Sequence, residues 1–497
     1  MGALDGLMMG FAVILTPANL SFCLLGSVIG TLVGVLPGIG PLAALALLLP
    51  VTFQLSAVAG LAMLAAIFYG AMYGGSTTSI LVNIPGEAAS VVTTLDGHAM
   101  ARQGRAGAAL GMAAISSFVA GTLSLVALTF FSPFLANLAI RFGPPENFGL
   151  MVMGLVCTLY MISGSKVKGV LMMALGFLGA IVGMDIVNGT ERFTLGTVNL
   201  TGGIEILSVV IGLFGVSEIL LNCESITKNT MLAEKIRGLW PTVADWRASW
   251  KPMLRGSGLG FVLGLLPGGG PVTASFLSYT MEKRLAQDSS RFGKGAIEGV
   301  AGPEAANNAA VSGGMIPLLS LGIPGNAVTA LLLGALVIQG VQPGPLFIAQ
   351  RPDLFWGVVA SMYVGNVFLL LLNLPLVGLW VQFLRVPYRV LFPLILLLSI
   401  VGTYSANKNV FDLWVMIGFG VFGYVLRKLK YDFSPYLIAF VLAPLLEQSL
   451  RQSLVMSPDG MLIFLQRPIA AALIVISLVL AVFVFRQRKS SLPEGDI

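Results

Sequence analysis

The chain has 497 residues, of which 56% are hydrophobic and only 10% are charged. About a quarter of the residues of a soluble globular protein are charged, so this composition excludes an ordinary water-soluble fold and indicates that lipid surrounds most of the chain. The net charge of +6 would suggest nucleic-acid binding in a soluble protein. Here the basic residues gather in loops, as the positive-inside rule describes for membrane proteins, and we expect no nucleic-acid partner.

Apolar runs long enough to cross a bilayer recur from one end of the chain to the other. The runs are continuous, whereas the strands of a membrane β-barrel alternate apolar and polar residues. A helical crossing takes roughly 20 residues, so the sequence predicts an all-α polytopic membrane protein with about 11 or 12 transmembrane helices. The clearest runs are 57–73, 106–138, 148–162, 169–187, 204–221, 354–384, 390–404, 410–426, 433–446 and 468–485.

A segment of sixteen residues occurs twice in the chain. GSVIGTLVGVLPGIGP at Gly26–Pro41 and GSGLGFVLGLLPGGGP at Gly256–Pro271 share nine residues at an offset of 230. In each copy an apolar helix with glycine at every fourth position ends at a Pro-Gly pair. Glycines at that spacing predict close helix packing. Two helix breaks at matching positions are typical of the binding centre of a secondary transporter.

A second motif is also duplicated, at an offset of 239. GGSTTSILVNIPGEA at Gly74–Ala88 and GGMIPLLSLGIPGNA at Gly313–Ala327 share a Gly-Gly pair, eight further residues and then Ile-Pro-Gly. Hydroxyl and amide side chains near these sequences could bind a cation or a carboxylate without burying a full charge. Serine and threonine in membrane helices often only bond the preceding turn, and that alternative stays open for each hydroxyl.

Broken helices expose backbone groups that can bind ions. Inside a bilayer, free carbonyls and amides persist only where protein or a polar cavity satisfies them. Amides at a helix N-terminus attract carboxylates, and unwound carbonyls suit Na⁺. We therefore predict a substrate-binding and ion-binding site at these motifs, with no catalytic residue and with Na⁺ as a candidate metal. The predicted site residues are Pro37, Gly38, Gly40, Ser76, Thr77, Thr78, Asn83, Pro85, Gly86, Pro267, Gly268, Gly270, Glu304, Asn307, Asn308, Pro324, Gly325 and Asn326.

Other ionisable residues near apolar sequence have simpler expected roles. Asp96 and Asp185 are expected in loops just outside the bilayer, with binding of the coupling cation or of a proton as the alternative, and the only histidine, His98, in a polar connecting loop. Glu447 and Arg451 are spaced i, i+4 and predict a local ion pair on a helix. Of the carboxylates in or near apolar sequence, Glu304 is singled out because it lies beside an asparagine pair.

The duplicated motifs divide the chain into four segments. Residues 1–221 form a first repeat with both broken-helix motifs, and 256–384 form the core of a second repeat. Between them, 222–255 is a basic connector containing tryptophans, which we place at the cytoplasmic face of the membrane. Residues 385–497 add C-terminal helices and a basic tail. Counting crossings leaves parallel and inverted repeats open, and we expect inverted repeats by analogy with other transporters.

Long motifs make the chain resemble a known family. GVAGPEAANNAAVSGGMIPLLSLGIPGNA at Gly299–Ala327, YGAMYGGSTTSILVNIPGE at Tyr69–Glu87, PYLIAFVLAPLLEQSLRQSL at Pro435–Leu454 and the doubled LPGxGP sequence are similar to the large membrane subunit (TctA-type) of tripartite tricarboxylate transporters. The resemblance covers essentially the whole chain.

That resemblance implies a function and partners. It implies a multi-pass permease of the bacterial inner membrane that imports organic dicarboxylates or tricarboxylates, such as citrate, by a Na⁺ or H⁺ gradient. It also implies a small four-helix membrane subunit and a periplasmic solute-binding protein as partners. GKGA at Gly293 is not the GxxxxGK[ST] pattern of an ATP-binding loop, so we expect no cofactor besides the coupling cation.

Two other classes of function are weighed against this one. A transporter or channel for another small anion, working without a binding protein, would also use broken helices. An intramembrane enzyme would need a nucleophile and a base, and His98 has no Ser or Asp partner at a diagnostic spacing. We therefore expect a transporter that is not an enzyme.

Overall fold

The computed structural model describes residues 2–36, 40–139, 142–162, 165–185, 188–224, 238–266, 268–341, 344, 347–384 and 388–486. Most of these residues are helical, and the prediction of an all-α polytopic membrane protein is confirmed. Within the described ranges, strand structure is limited to one antiparallel pair, β1 Gly183–Met184 and β2 Glu191–Arg192, in which Gly183 lies opposite Arg192.

The helices follow one another through the whole described chain. In chain order they are α1 Ala3–Ile14, α2 Pro17–Val35, α3 Gly40–Thr52, α4 Ala57–Val82, α5 Val91–Thr93, α6 Ala99–Arg102, α7 Ala106–Ala139, α8 Pro144–Met161, α9 Lys166–Ala180, α10 Ile206–Val210, α11 Ser217–Glu224, α12 Val243–Leu265, α13 Pro271–Leu285, α14 Glu298–Leu321, α15 Ala327–Ile338, α16 Phe347–Gln350, α17 Pro352–Asn373, α18 Val377–Phe383, α19 Tyr388–Asn407, α20 Val410–Lys428, α21 Ser434–Met456, α22 Ile463–Gln466 and α23 Pro468–Arg486. Short 3₁₀ turns lie at Ala88–Ser90, Val198–Leu200, Ser289–Arg291 and Gly460–Leu462, and π-helical turns at Thr94–His98 and Ile211–Val216.

Fewer single helices span a membrane than the apolar runs suggest. Among the described residues, five helices are long and apolar enough to cross, namely α2, α4, α7, α17 and α20, or six if the bent pair of Gly460–Gln466 and Pro468–Val484 counts as one span. Five shorter apolar helices have 10–17 residues. The expectation of about 11 or 12 crossings came from apolar length, and it counted the shorter apolar helices as well as the long ones.

The helices form two compact units. One comprises Met1–Ile140 and Ile204–Leu426 and is named the repeat unit, because it holds both copies of both motifs. The other, the accessory unit, comprises Arg141–Gly203 and Arg427–Ile497. Within the accessory unit, α21 packs against α8 and α9, and α23 packs against α8. The predicted first segment, 1–221, contributes to both units.

The glycine face of each duplicated helix packs directly on the backbone of a second helix. A Cβ added at Gly30 would lie 2.5 Å from the carbonyl oxygen of Ile67, and one added at Gly260 would lie 2.1 Å from that of Ala306. α2 therefore lies against α4, and α12 lies against α14, in the same way, which confirms the packing role predicted for these glycines. The facing pairs are Gly26 with Met63, Gly30 with Ile67, Gly34 with Ala71, Gly256 with Gly302, Gly260 with Ala306 and Gly264 with Ala310.

The helix breaks are also alike in the two repeats. α2 and α12 both end at a leucine with extended backbone, Leu36 and Leu266. α4 ends at Asn83 with φ of 61°, and α14 ends at Gly322 with φ of 71°. Both residues are in the left-handed region, where glycine and asparagine terminate helices at low cost. Residues related by the offsets of 230 and 239 therefore share backbone conformation as well as sequence similarity.

The repeats run in opposite directions. Within each pair, residues later in the first helix contact residues later in the second, so α2 is parallel to α4 and α12 is parallel to α14. Between the pairs the order is reversed. Tyr69 of α4 bonds to Ser312 of α14, whereas Ser76, further along α4, approaches Glu304, which lies earlier in α14. α4 and α14 are therefore antiparallel, and the repeats are inverted, as the analogy with other transporters suggested.

The predicted connector is partly helical. Of the range 222–255, residues 225–237 lie outside the described part of the chain. α12 begins at Val243, well before the duplicated segment, and Thr242 caps it by accepting a hydrogen bond from the backbone N–H of Asp245. Trp246 and Trp250 are exposed on its first turns.

Two glycines of α12 provide a matched test of this packing. Alanine forms helix better than glycine by about 1 kcal/mol, and a Cβ at Gly258 would meet no described atom within 4 Å. We expect Gly258→Ala to keep or raise the thermal unfolding temperature of the purified protein. Gly260→Ala forces a Cβ onto Ala306 and should lower stability by about 1–3 kcal/mol. Equal melting temperatures of the two variants would contradict the backbone contact.

Candidate functional site

Each repeat folds its two broken segments onto each other. In the first repeat, a Cβ added at Gly86 would lie 2.0 Å from the carbonyl oxygen of Gly34 and 2.6 Å from the Cα of Gly75. In the second, the N–H of Gly268 donates a hydrogen bond to the carbonyl oxygen of Gly325 at 2.7 Å. Close backbone approach therefore explains the glycine at position 86 of the first repeat.

We name these paired breaks the tips. The first tip comprises Leu36 and Gly40 with residues 83–87, and the second comprises 266 and 268–270 with 322–326. Gly40 has φ of +66°, and no described atom lies within 4 Å of the place that a Cβ would take. In the second tip, a Cβ added at Gly270 would lie 3.5 Å from Nδ2 of Asn326. Among the described residues, none fills the space beside Gly40 at the start of α3.

Three predicted site residues of the tips, Pro37, Gly38 and Pro267, lie outside the described residues. The two other prolines, Pro85 and Pro324, occupy equivalent positions in the first and second tips.

A fully buried carboxylate lies where α4 and α14 cross. The Glu304 carboxylate accepts a hydrogen bond from the Thr93 hydroxyl at 2.5 Å and one from Nδ2 of Asn307 at 3.3 Å. The hydroxyls of Ser76 and Ser117 approach the same carboxylate. A buried carboxylate needs donors of this kind, because it cannot be left without partners in an apolar interior. The structure thus brings Ser76, Glu304 and Asn307, three predicted site residues, into one cluster.

The cluster extends along α14. Nδ2 of Asn308 donates to Oγ of Ser117 at 2.8 Å and to Oδ1 of Asn307 at 2.5 Å, while Oδ1 of Asn308 is buried without a partner among the described residues. One helical turn further along, the hydroxyls of Ser312 and Tyr69 are hydrogen-bonded to each other. Residues of both repeats, including Ser117 of α7, therefore share one polar network.

One further helix, α17, joins the helices of this network. The Tyr73 hydroxyl donates to Oδ1 of Asn366 at 2.6 Å. Nδ2 of Asn366 in turn donates to the carbonyl oxygen of Phe118 and to the Thr122 hydroxyl, both at 3.0 Å. α17 is thus fixed to α4 and α7 by polar contacts inside an otherwise apolar bundle.

A small cavity adjoins the cluster. Its polar lining comes from Tyr73, Ser76, Thr77, Ser117 and Asn373. It offers about 10 Å³ to the centre of a water-sized particle, which is enough for about one such particle. Ser76 and Thr77, both predicted site residues, therefore face a common space.

The family model described as the tripartite tricarboxylate transporter TctA family matches residues 20–438. The chain belongs to this family. It is one subunit of a tripartite transporter, as the resemblance implied. A protein of Agrobacterium vitis, described as an uncharacterized 52.8 kDa protein in the TAR-I ttuC' 3' region, is 48% identical over 478 residues, which are 96% of this chain and 95% of that protein.

A second Agrobacterium vitis protein, described as an uncharacterized protein in the TAR-II ttuC' 3' region, is 52% identical over 220 residues, covering 44% of this TctA-family chain and 91% of its own length. No solved structure matches the chain.

Three predicted site residues of this TctA-family subunit have clear structural contacts. The Thr78 hydroxyl donates to the carbonyl oxygen of Val35 at 2.6 Å, and so satisfies a group left free at the end of α2. Asn83 is exposed and ends α4 in the left-handed conformation. Asn326 caps α15, since its Oδ1 accepts from the N–H of Thr329 at 2.9 Å. These contacts account for the residue types, and ligand binding by them stays a prediction.

Sequence reasoning missed the polar residues that come from outside the duplicated motifs. Thr93 on α5, Ser117 on α7, and Asn366 and Asn373 on α17 all contact the cluster or line its cavity. Asn366 and Asn373 lie seven residues apart in an apolar helix, so they share one helix face. Polar side chains inside a membrane helix usually face the protein interior, and this signal could have identified them.

The expectation of a loop for Asp96 was wrong. Asp96 lies in the π-helical turn Thr94–His98 and is fully buried. Its Oδ1 accepts hydrogen bonds from the backbone N–H groups of Gly293, Gly295 and Ala296 at 2.9, 2.8 and 2.8 Å, and the Tyr279 hydroxyl donates to its Oδ2 at 2.9 Å. The connection between α13 and α14 in the second repeat therefore folds around a carboxylate of the first.

The expectation of a polar loop for His98 was also wrong. His98 ends the same π-helical turn, is half-buried, and forms a hydrogen bond through Nδ1 with the carbonyl oxygen of Ile80 at 3.0 Å. Its ring thereby pairs with a carbonyl in the last turns of α4.

In the accessory unit, the predicted pair of Glu447 and Arg451 is confirmed at 2.7 Å. It belongs to a larger network, because Asp185 and Arg192 from the hairpin of β1 and β2 join it. Asp185 is buried and pairs with both arginines, with 2.8 Å to Arg451. Arg192 also contacts Glu447 at 2.8 Å. The network fixes the hairpin to α21 and places Asp185 in a buried ion cluster.

The anchoring role of Asp96 can be tested by substitution. Hydrogen bonds to charged groups contribute about 1.5–3 kcal/mol each, and Asp96→Ala leaves three backbone amides without their acceptor. We expect a lower unfolding temperature for Asp96→Ala, with Asp96→Asn intermediate because it keeps one acceptor oxygen. Asp288 is exposed in the same connection between α13 and α14, and Asp288→Ala should change stability little. Loss of stability in Asp288→Ala alone would refute the anchoring role.

Proposed function

We propose that this subunit imports organic dicarboxylates or tricarboxylates of the citrate class across the bacterial inner membrane. A Na⁺ or H⁺ gradient drives the import. The subunit works with a small four-helix membrane subunit and a periplasmic solute-binding protein that delivers the substrate. The single observation that carries the proposal is the buried polar cluster at the crossing of two inverted repeats, each closed by a broken-helix tip.

Inverted repeats support alternating access. In transporters built this way, one repeat or bundle moves against the rest around a central site, which opens to one side of the membrane and then to the other. Here Glu304 and Asn307 on α14 contact Ser76 on α4 and Thr93 on α5. A movement between the repeats would change the surroundings of these residues directly.

The first tip suits an anionic substrate. A helix N-terminus carries a partial positive charge and unpaired amides, and both favour carboxylates. α3 begins at Gly40, and no described residue occupies the space beside it, which suits a ligand that approaches the backbone. Backbone amides bind carboxylates of different lengths, which is consistent with a substrate class defined by charge.

The charges of the repeat unit support one orientation in the membrane. Arg105 pairs with Asp245 at 2.6 Å, and Gln103 donates to the carbonyl oxygen of Lys294 at 2.7 Å. The basic start of α7, the start of α12 and the basic connection between α13 and α14 therefore lie together. By the positive-inside rule this end faces the cytoplasm.

Uptake of radiolabelled citrate into cells tests the proposal. The cells would produce this chain with its two partner subunits, and an imposed Na⁺ or pH gradient would be compared with no gradient. We expect accumulation only with a gradient and only with the binding protein. Flux that needs neither would favour the alternative of a channel or transporter without a binding protein and would refute the proposed mechanism.

A variant of the cluster links uptake to the structure. Asn307→Ala removes a donor to Glu304 and the acceptor for Asn308, and a lost hydrogen bond to a charged group of about 1.5–3 kcal/mol predicts at least roughly a tenfold lower uptake. The control Asn188→Ala changes an exposed residue of the accessory unit and should leave uptake unchanged. Normal uptake by Asn307→Ala at equal protein level would remove this residue from the site.

A further inference from the structure

One buried oxygen beside the cavity lacks a partner. Asn373 is 4% exposed, and its Nδ2 donates to the carbonyl oxygen of Leu369 at 2.9 Å and to the Thr31 hydroxyl at 3.3 Å. These bonds hold the amide in one orientation. Its Oδ1 accepts no hydrogen bond from any described residue, and Asn373 lines the cavity. A buried carbonyl oxygen without a partner is unfavourable, so its retention here requires a reason.

The other polar groups of the cavity also present oxygen lone pairs. The Tyr73 hydroxyl donates its proton to Asn366, so its oxygen remains able to accept. Ser76 and Thr77 of α4 and Ser117 of α7 also line the cavity, and each carries a hydroxyl group. Hydroxyl and amide oxygens are the ligands that hard cations prefer.

A carboxyl group lies next to these oxygens. Ser76 and Ser117 line the cavity and also approach the carboxyl group of Glu304, so only one hydroxyl separates the cavity from it. A cation in the cavity would be attracted by Glu304 through a medium of low dielectric constant, where such attraction is strong. The size of the cavity admits about one water-sized particle, which excludes a citrate-like molecule from this space.

We propose that this cavity is the site of the coupling cation and that the cation is Na⁺, held by Asn373, Ser76, Thr77 and Ser117 and balanced by Glu304. The inference deepens the proposed function and rests on it, because a cation bound between α4, α7 and α17 would couple to movement of the repeats. Na⁺ fits better than H⁺, since the lining oxygens belong to neutral hydroxyl and amide groups, which do not take up protons at neutral pH.

Equilibrium binding of radioactive sodium to the full-length chain in lipid nanodiscs tests the site. The measurement uses neither a gradient nor a carboxylate, and choline replaces Na⁺ in the background buffer. We expect saturable binding to the native chain. Asn373→Ala should raise the Kd for Na⁺ at least about tenfold, as expected for loss of one ligand of hydrogen-bond strength.

Neighbouring serines on α7 supply a second variant and its control. Ser117 lines the cavity, whereas Ser116 is equally buried but is not among its lining residues. Ser117→Ala should weaken Na⁺ binding, and Ser116→Ala should not. This pair keeps the test valid if Asn373→Ala does not fold. Absence of saturable Na⁺ binding, or an unchanged Kd in Ser117→Ala, would overturn the proposal.

The binding measurement separates this inference from the proposed function. Na⁺ binding that depends on Ser117 and Asn373, in a protein that imports no carboxylate, would support the site and refute the transport proposal. Gradient-driven citrate uptake, with an unchanged Kd for Na⁺ in both Asn373→Ala and Ser117→Ala, would support the transport proposal and refute the site. Uptake driven by a pH gradient alone, without Na⁺ binding, would also overturn the site.

Discussion

The direct contact of glycine-faced helices with the backbone of their neighbours is the constraint on which the structure depends. Lipid removes the hydrophobic force between helices, so their association relies on close packing and polar contacts. Without side chains at Gly30 and Gly260, α2 and α12 reach the carbonyl oxygens of Ile67 and Ala306. This contact fixes where each broken helix ends relative to its partner, and thus allows the two breaks of a repeat to meet in one tip.

The need to satisfy polar groups inside a bilayer shapes the rest of the centre. Free backbone groups persist there only when the protein pairs them, which is why Gly268 bonds to Gly325 and Thr78 bonds to Val35. The same need surrounds Glu304 with donors. Because α4 and α14 are antiparallel where they cross, polar residues of both repeats converge on the cluster around Glu304. A shift between the repeats would alter the contacts of this cluster first.

Polar residues of the duplicated motifs divide into two groups. Some, such as Asn83 and Asn326, serve helix ends, so their residue types follow from local conformation. Others, such as Ser76, approach the buried carboxyl group of Glu304. Sequence spacing treats both groups alike, because a polar residue near a Pro-Gly pair looks the same in the sequence whether it caps a helix or faces another helix. Only their contacts distinguish them.

The sequence alone determined the membrane class, the helical fold, the duplicated breaks and the family. These follow from local properties, namely composition, the backbone limits of proline and glycine, and long motifs. The tertiary structure decided that the repeats are inverted, that Asp96 anchors the connection between α13 and α14, and that Asn373 shares a cavity with Ser76. Such contacts join residues far apart in the chain, and they depend on the path of the whole chain between them, which no local pattern encodes.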